Sequence, residues 1–243
     1  MSLLEDLVSS LKEDRPVQEI HTCVFWTAVI AGRCGLASTI PPPGPHASQL
    51  VRGAGKLAGR SARVLAEYAK STNTLEASIG VAALNSLLKP TEAHLSDQDA
   101  LQLLLREGKG RRVAVVGHFP FLDRLRRDAA EFFVLEKNPS QGELPEEEAS
   151  RVLPRAEVVA LTGSALINHT LEQLLALCRP ESYVLVMGPS TPLSPVLFEY
   201  GADALAGVEV VNTRELLRHI QEGATFRQVR GVRKVTMERK NDI

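Results

Sequence analysis

"RRVAVVGHFPFLDRLRRDAAEFFVLEKNP", residues 111–139, is the stretch whose reading decides the fold. Val113-Ala114-Val115-Val116 is a short unbroken apolar run, the pattern of a strand covered on both faces. Gly117 turns the chain toward a helix over 120–128, and a second apolar run follows at 131–135. A dinucleotide site would continue as G-x-G-x-x-G, yet Gly117 is followed by His118, Phe119, Pro120 and Phe121. Without the second and third glycines the backbone cannot closely approach a pyrophosphate, so NAD bound in the usual manner is not expected. His118 instead sets an imidazole at the turn, where it can ligate a metal, transfer a proton or hydrogen-bond a ligand. A solvated histidine with none of these roles is the plainer alternative.

Outward from this unit, strand and helix alternate through the second half. Strands are expected at 113–116, 131–135, 157–161, 182–187 and 208–211, with helices at 120–128, 145–152, 165–178, 193–200 and 214–221. Such alternation predicts a mainly parallel, doubly wound, Rossmann-like sheet with helices on both faces. Right-handed crossovers then bring the carboxyl ends of the strands to one edge, where ligands bind.

The first half reads differently. Leu3, Leu4, Leu7, Val8 and Leu11 recur at helical spacing, and 17–32 reads as a pair of strands. Residues 38–60 are rich in proline and glycine, an irregular connection. Helices follow in "SARVLAEYAKS" and "TLEASIGVAALNSLLK", the latter with Thr74 as its expected cap. A further helix lies before Gly108. The chain is therefore expected to be α/β, with a small α+β part at 1–95 and a Rossmann-like part at 96–243.

Composition narrows the function. The net charge of -1 and 5% aromatic content argue against nucleic acid as a partner. No apolar stretch reaches the roughly twenty residues that span a bilayer. The start "MSLLEDLVSSLKED" lacks the pattern of a secretory signal, and the three cysteines lie far apart. A cytoplasmic protein is expected, with no membrane partner.

The loops at the ligand edge carry the chemistry. Glu136 falls about twenty residues beyond Gly117, where nucleotide-binding units place an acid for ribose hydroxyls, or else it is a solvated carboxylate. Thr162-Gly163-Ser164 and Ser190-Thr191-Pro192 set hydroxyls at expected helix starts, suited to an anion or to simple capping. His169 faces either the crevice or the sheet. Cys34 is a candidate soft ligand or a buried thiol. His21, His46, His94 and His219 form no metal-binding spacing. "GAGKLAG" at 53–59 lacks the ending of a P-loop.

"GLAST" (35–39), "LEASIGVAALNSLL" (75–88), "VVGHFPF" (115–121), "EKNP" (136–139), "TGSALINHT" (162–170), "VMGPSTPLSP" (186–195) and "ADALAGVEVV" (202–211) together carry a resemblance. In that order, over nearly the whole chain, they resemble a bacterial and archaeal domain-of-unknown-function family labelled as heavy-metal chelation proteins. The resemblance implies an enolase-N-terminal-like domain followed by a Rossmann-like domain, with the site in the cleft between them. Carried onto this sequence, the cleft would be lined by Gly117, His118, Glu136, Asn138, Thr162, Gly163 and Ser164. Asn168, Gly188, Pro189, Ser190 and Thr191 would complete it, and Thr39 and Asn85 would reach it from the first part on resemblance alone.

Two functions compete. The resemblance implies binding of a transition metal ion or a metal complex, with His118 as a metal ligand. The hydroxyl-rich loops favour an enzyme acting on a small anionic or nucleotide-like metabolite, with His118 as acid or base. A third reading makes the basic tail (Arg227, Arg230, Arg233, Lys234, Arg239, Lys240) a protein-contact surface. A homodimer is compatible with each.

Overall fold

In the computed structural model, residues 2–44, 50–90 and 92–239 are described; His46 and Lys240 lie outside them. Helix α1 (Leu3–Ser9) opens with a capping box in which Ser2 and Glu5 satisfy each other's backbone N–H groups. A three-stranded antiparallel meander follows: β1 (Glu19–Thr22), β2 (Trp26–Ala31) and β3 (Arg33–Ser38). β3 is a strand that the sequence pattern does not announce, because Gly35 interrupts it. The glycine is required by packing, since a Cβ there would run into the backbone of Ala82 and Ser86.

The helix that crosses β3 is α3 (Thr74–Leu87), preceded by the short α2 (Ala62–Ala66). Its cap is Asn73, one residue before the expected Thr74. The Asn73 Oδ1 accepts from the N–H groups of Leu75 (3.0 Å) and Glu76 (3.4 Å). α3 is buried along most of its circumference, as an apolar helix sandwiched between layers must be.

The second part comprises, in order, α4 (Ala100–Gly108), β4 (Arg112–Val116), α5 (Leu122–Asp128), β5 (Glu131–Glu136), β6 (Leu144–Pro145), α6 (Ala149–Val152), β7 (Val158–Thr162), α7 (Leu171–Leu177), β8 (Tyr183–Met187), α8 (Val196–Glu199), β9 (Ala204–Val210), α9 (Thr213–Gln221) and β10 (Val232–Glu238). The strands form a seven-stranded sheet in the order β10-β9-β8-β7-β4-β5-β6. All pairs are parallel except β9 with β10. The chain leaves β4 toward β5 and returns on the other side to β7, which makes β4/β7 the topological switch point.

Several expected elements change length, each for a local reason. The helix over 193–200 shrinks to α8, because Pro192 and Pro195 drive Thr191 and Ser194 away from helical geometry. The helix over 165–178 is a single turn at Gly163–Leu166 and then α7, divided at His169, whose φ is 60°. The strand expected at 208–211 runs over Ala204–Val210, and part of the basic tail is the edge strand β10.

A continuous core runs from Leu3 and Leu7 through α3 into Val116, Leu161 and Val235, joining the first part to one sheet face. α4 and α5 cover the other face over Val115, Ala160 and Leu185. Among the described residues no helix is long and apolar enough to cross a membrane.

Candidate functional site

Two glycines open the ligand edge. Gly117 (φ 108°) leaves β4 and Gly188 (φ 121°) leaves β8, both in backbone conformations that side chains rarely adopt. Gly117 is also hemmed in: a Cβ there would sit 2.9 Å from the Thr162 Cβ. Beyond these turns lies a cavity of about 860 Å³, within the range of small-molecule sites.

Its wall includes Gly117, His118, Glu136, Asn138, Thr162, Ser164, Asn168, Gly188 and Pro189, all expected from the sequence. They come from the carboxyl ends of β4, β5, β7 and β8 and the loops that follow. Thr39, Asn85, Gly163, Ser190 and Thr191 do not line it. Thr39 turns its hydroxyl to Thr27 at 2.8 Å. The Ser190 hydroxyl accepts the Ser38 N–H at 2.8 Å, and Asn85 Nδ2 donates to the carbonyls of Leu36 (3.0 Å) and Ser190 (3.3 Å). Gly163 packs against Thr191, which is 3% exposed and whose hydroxyl has no partner among the described residues. These five residues surround the wall and hold it; they do not form it. No helix starts at Pro192, so Ser190 and Thr191 offer no helix N-terminus to an anion.

At the mouth, His118 is largely exposed, and its Nδ1 lies 3.1 Å from the Glu143 carboxylate. The Ser140 N–H, and then His118, hold the Glu143 carboxyl below its ordinary range. Phe119 and Phe121 stack with centroids 5.5 Å apart and interplanar angle 16°. Thr162 caps the short turn after β7, accepting from the Ser164 N–H at 3.4 Å.

His169 faces neither crevice nor sheet. Its Nε2–H donates to the Ala69 carbonyl at 2.8 Å, tying the break before α7 to the segment before α3. Cys34 packs among Trp26, Leu36 and Leu216, and burial pushes its thiol up to about 12. A thiol so held stays protonated at neutral pH, the buried-thiol alternative of the two read from the sequence.

Residues from outside the expected set complete the cavity: Trp26, Ser38 and Ile40 from the first part, Asp97–Leu101 before and within α4, and Phe226, Arg227 and Lys234 from the tail. The basic tail carried a signal, because its charges were legible. Their arrival at the ligand edge was not, since it depends on β10 pairing antiparallel with β9.

A metal ion held by the chain alone does not fit this donor set. Among the described residues no three His, Cys, Asp or Glu side chains are grouped to hold one, whereas structural and catalytic ions take three or four protein ligands.

Comparison with known proteins gives a consistent picture. Residues 99–238 match the family DUF364 and residues 4–88 match DUF4213, both described as "Putative heavy-metal chelation". An uncharacterized protein of Methanocaldococcus jannaschii is 26% identical over 178 residues, covering 70% of this chain and 69% of that protein. The crystal structure of a DUF364-family protein of unknown function from Desulfitobacterium hafniense superposes with a TM-score of 0.85 at 29% identity, covering 98% of each chain. Another from Pyrococcus horikoshii, at 20% identity and a TM-score of 0.80 over 98% of each chain, shares the fold.

Proposed function

Since this chain belongs to the DUF364 family, whose description is heavy-metal chelation, we propose that its cavity binds a small anionic organic molecule, free or as a metal complex, and not a bare ion. The observation that carries this reading is the cavity itself. At about 860 Å³ it is sized for a molecule, and it is walled by backbone, hydroxyl and aromatic groups. Hydroxyls and amides are weak ligands for soft metals, but they serve well as hydrogen-bond partners for carboxylates and phosphates.

The family description and the donor set agree if the metal arrives already chelated. A complex brings most of its own ligands, and His118, exposed at the mouth, supplies one more nitrogen. The chain's residues would then bind and orient the organic part, with the loops after β4 and β8 enclosing it. The cleft between the 1–95 and 96–243 parts is the place for it, in a cytoplasmic protein.

The pairing of His118 with Glu143 favours a second reading, an enzyme acting on a small anionic metabolite. A carboxylate on Nδ1 would leave Nε2 as the proton-transferring atom.

Thermal unfolding tests both readings, because a ligand that binds only the folded state raises the melting temperature. Transition metals alone, nucleotides and carboxylates alone, and metals premixed with carboxylates are compared, with His118→Ala in parallel. Protection by the organic anion or its complex, and none by the bare metals, is expected. Saturable protection by a bare metal that His118→Ala abolishes would overturn the proposal in favour of direct chelation.

A further inference from the structure

The cavity is lined by more than the strand-end loops, and the part of its wall drawn from β2 and the tail has a distinct chemistry. There Trp26 and Phe226 meet with ring centroids 5.7 Å apart, tilted by 54°. Lys234 Nζ stands 5.4 Å from the centroid of the Phe226 ring. Arg227, the next residue, lines the same wall.

The charges at this end are unequally matched. Arg233, beside Lys234, is taken up by Asp97 at 2.8 Å, Glu92 at 3.2 Å and Glu209 at 3.5 Å. The acids on the cavity wall are likewise engaged. Asp97 holds Arg233, and Asp99 caps α4 by accepting the Leu101 N–H at 2.9 Å. Glu146 lies 3.9 Å from Lys137, and Glu136, at the end of β5, accepts the Lys137 N–H at 3.1 Å. Arg227 and Lys234 have no carboxylate partner among the described residues. Two cations thus face the cavity without an anion, beside rings that offer an apolar bed. Leu101, Met187 and Ala206 extend that bed along the floor.

We infer that Arg227 and Lys234 form an anion subsite at the Trp26–Phe226 end of the cavity, and that its ligand is an amphipathic organic anion with a ring-bearing body and a carboxylate or phosphate at one end. This rests on the reading of the cavity as a small-molecule site and names the class of molecule. The two cations read the acidic group, and the rings bury the body. The basic tail is accordingly a wall of the ligand site.

Trp26 is the sole tryptophan of the chain and lines the cavity, so it reports on binding. Two fluorescent probes of nearly the same shape are titrated: anilinonaphthalene sulfonate, an aromatic anion, and phenylnaphthylamine, its uncharged counterpart. In the wild type both quench Trp26 saturably, the anion more tightly and with a salt dependence the amine lacks. In the Arg227→Gln/Lys234→Gln double variant the anion binds at least tenfold more weakly, and the amine changes less than twofold. Both residues are exposed, and the single variants carry the same comparison if the double variant is poorly folded. Unchanged affinity for the anion, or an equal loss of both probes from a folded variant, overturns the anion subsite while leaving the cavity reading intact. If neither probe quenches Trp26 in the wild type, the cavity reading itself fails.

Discussion

The Ser190 hydroxyl accepts the Ser38 backbone N–H at 2.8 Å and lies 3.1 Å from the Ser38 hydroxyl, joining residues 152 positions apart. Through this contact the last residue of the antiparallel meander is fastened to the loop that leaves β8. Ser38 lines the cavity on one side of the bond, and Gly188-Pro189 line it on the other.

Ser190→Ala leaves the Ser38 N–H without that acceptor in a part-buried place. We expect a loss of about 1–3 kcal/mol, the range for an unsatisfied buried donor. Urea unfolding followed by circular dichroism should show a lower midpoint with an unchanged slope. An unchanged midpoint would mean that water replaces the hydroxyl.

Glu76 is 2% exposed and makes its acidity felt in stability. Burial alone would raise its pKa, but the Arg52 guanidinium, the Ser71 hydroxyl and the Arg52 N–H outweigh it and hold the carboxyl below its ordinary value of 4.5. A carboxylate depressed in the folded state contributes stability that is present above the unfolded pKa and is lost as pH falls through the folded one. The melting temperature of the wild type should therefore drop below pH about 4.5, and part of that drop should vanish in Glu76→Gln. At neutral pH the variant should be less stable by about 1.5–3 kcal/mol, the range for hydrogen bonds to a charged group, since Arg52 itself stays exposed.

Gly117→Ala should destabilise the turn after β4. The backbone there is in the left-handed half of conformational space, and the added carbon meets Thr162. A strain of about 1–3 kcal/mol is expected, read as a lower melting temperature together with weaker binding of anilinonaphthalene sulfonate. Equal stability of the variant would show that the turn can adopt another conformation.

The thiols should be slow toward a disulfide reagent at neutral pH. Burial raises the Cys23 thiol and pushes those of Cys34 and Cys178 up to about 12. Cys23 should react first, and all three promptly once the protein is unfolded in urea. Rapid labelling of Cys34 in the folded protein would contradict its packing.

The bases of these predictions were unequally legible. The cavity wall from β4, β5, β7 and β8 could be read because apolar runs alternating with helices force a parallel sheet, and a parallel sheet gathers its strand ends. Ser190, in a distinctive loop, and Asn85, in the helix α3, were also visible as polar residues, but their work is to clamp β3 to the β8 loop. A hydroxyl that holds a backbone has the same sequence signature as one that holds a ligand.

By itself, the sequence determined the α/β class, the parallel sheet around Val113–Val116, the glycine turn with His118, and the family. These depend on periodicity and on turn chemistry, both local. Tertiary structure alone decided that Trp26, Phe226, Arg227 and Lys234 meet, and that His169 points at Ala69 away from the cavity. Those placements arise from β10 pairing with β9 and from α3 packing over β3. Contacts between segments a hundred or more residues apart, as Trp26 with Phe226 and His169 with Ala69, depend on how whole layers stack, which no local pattern records.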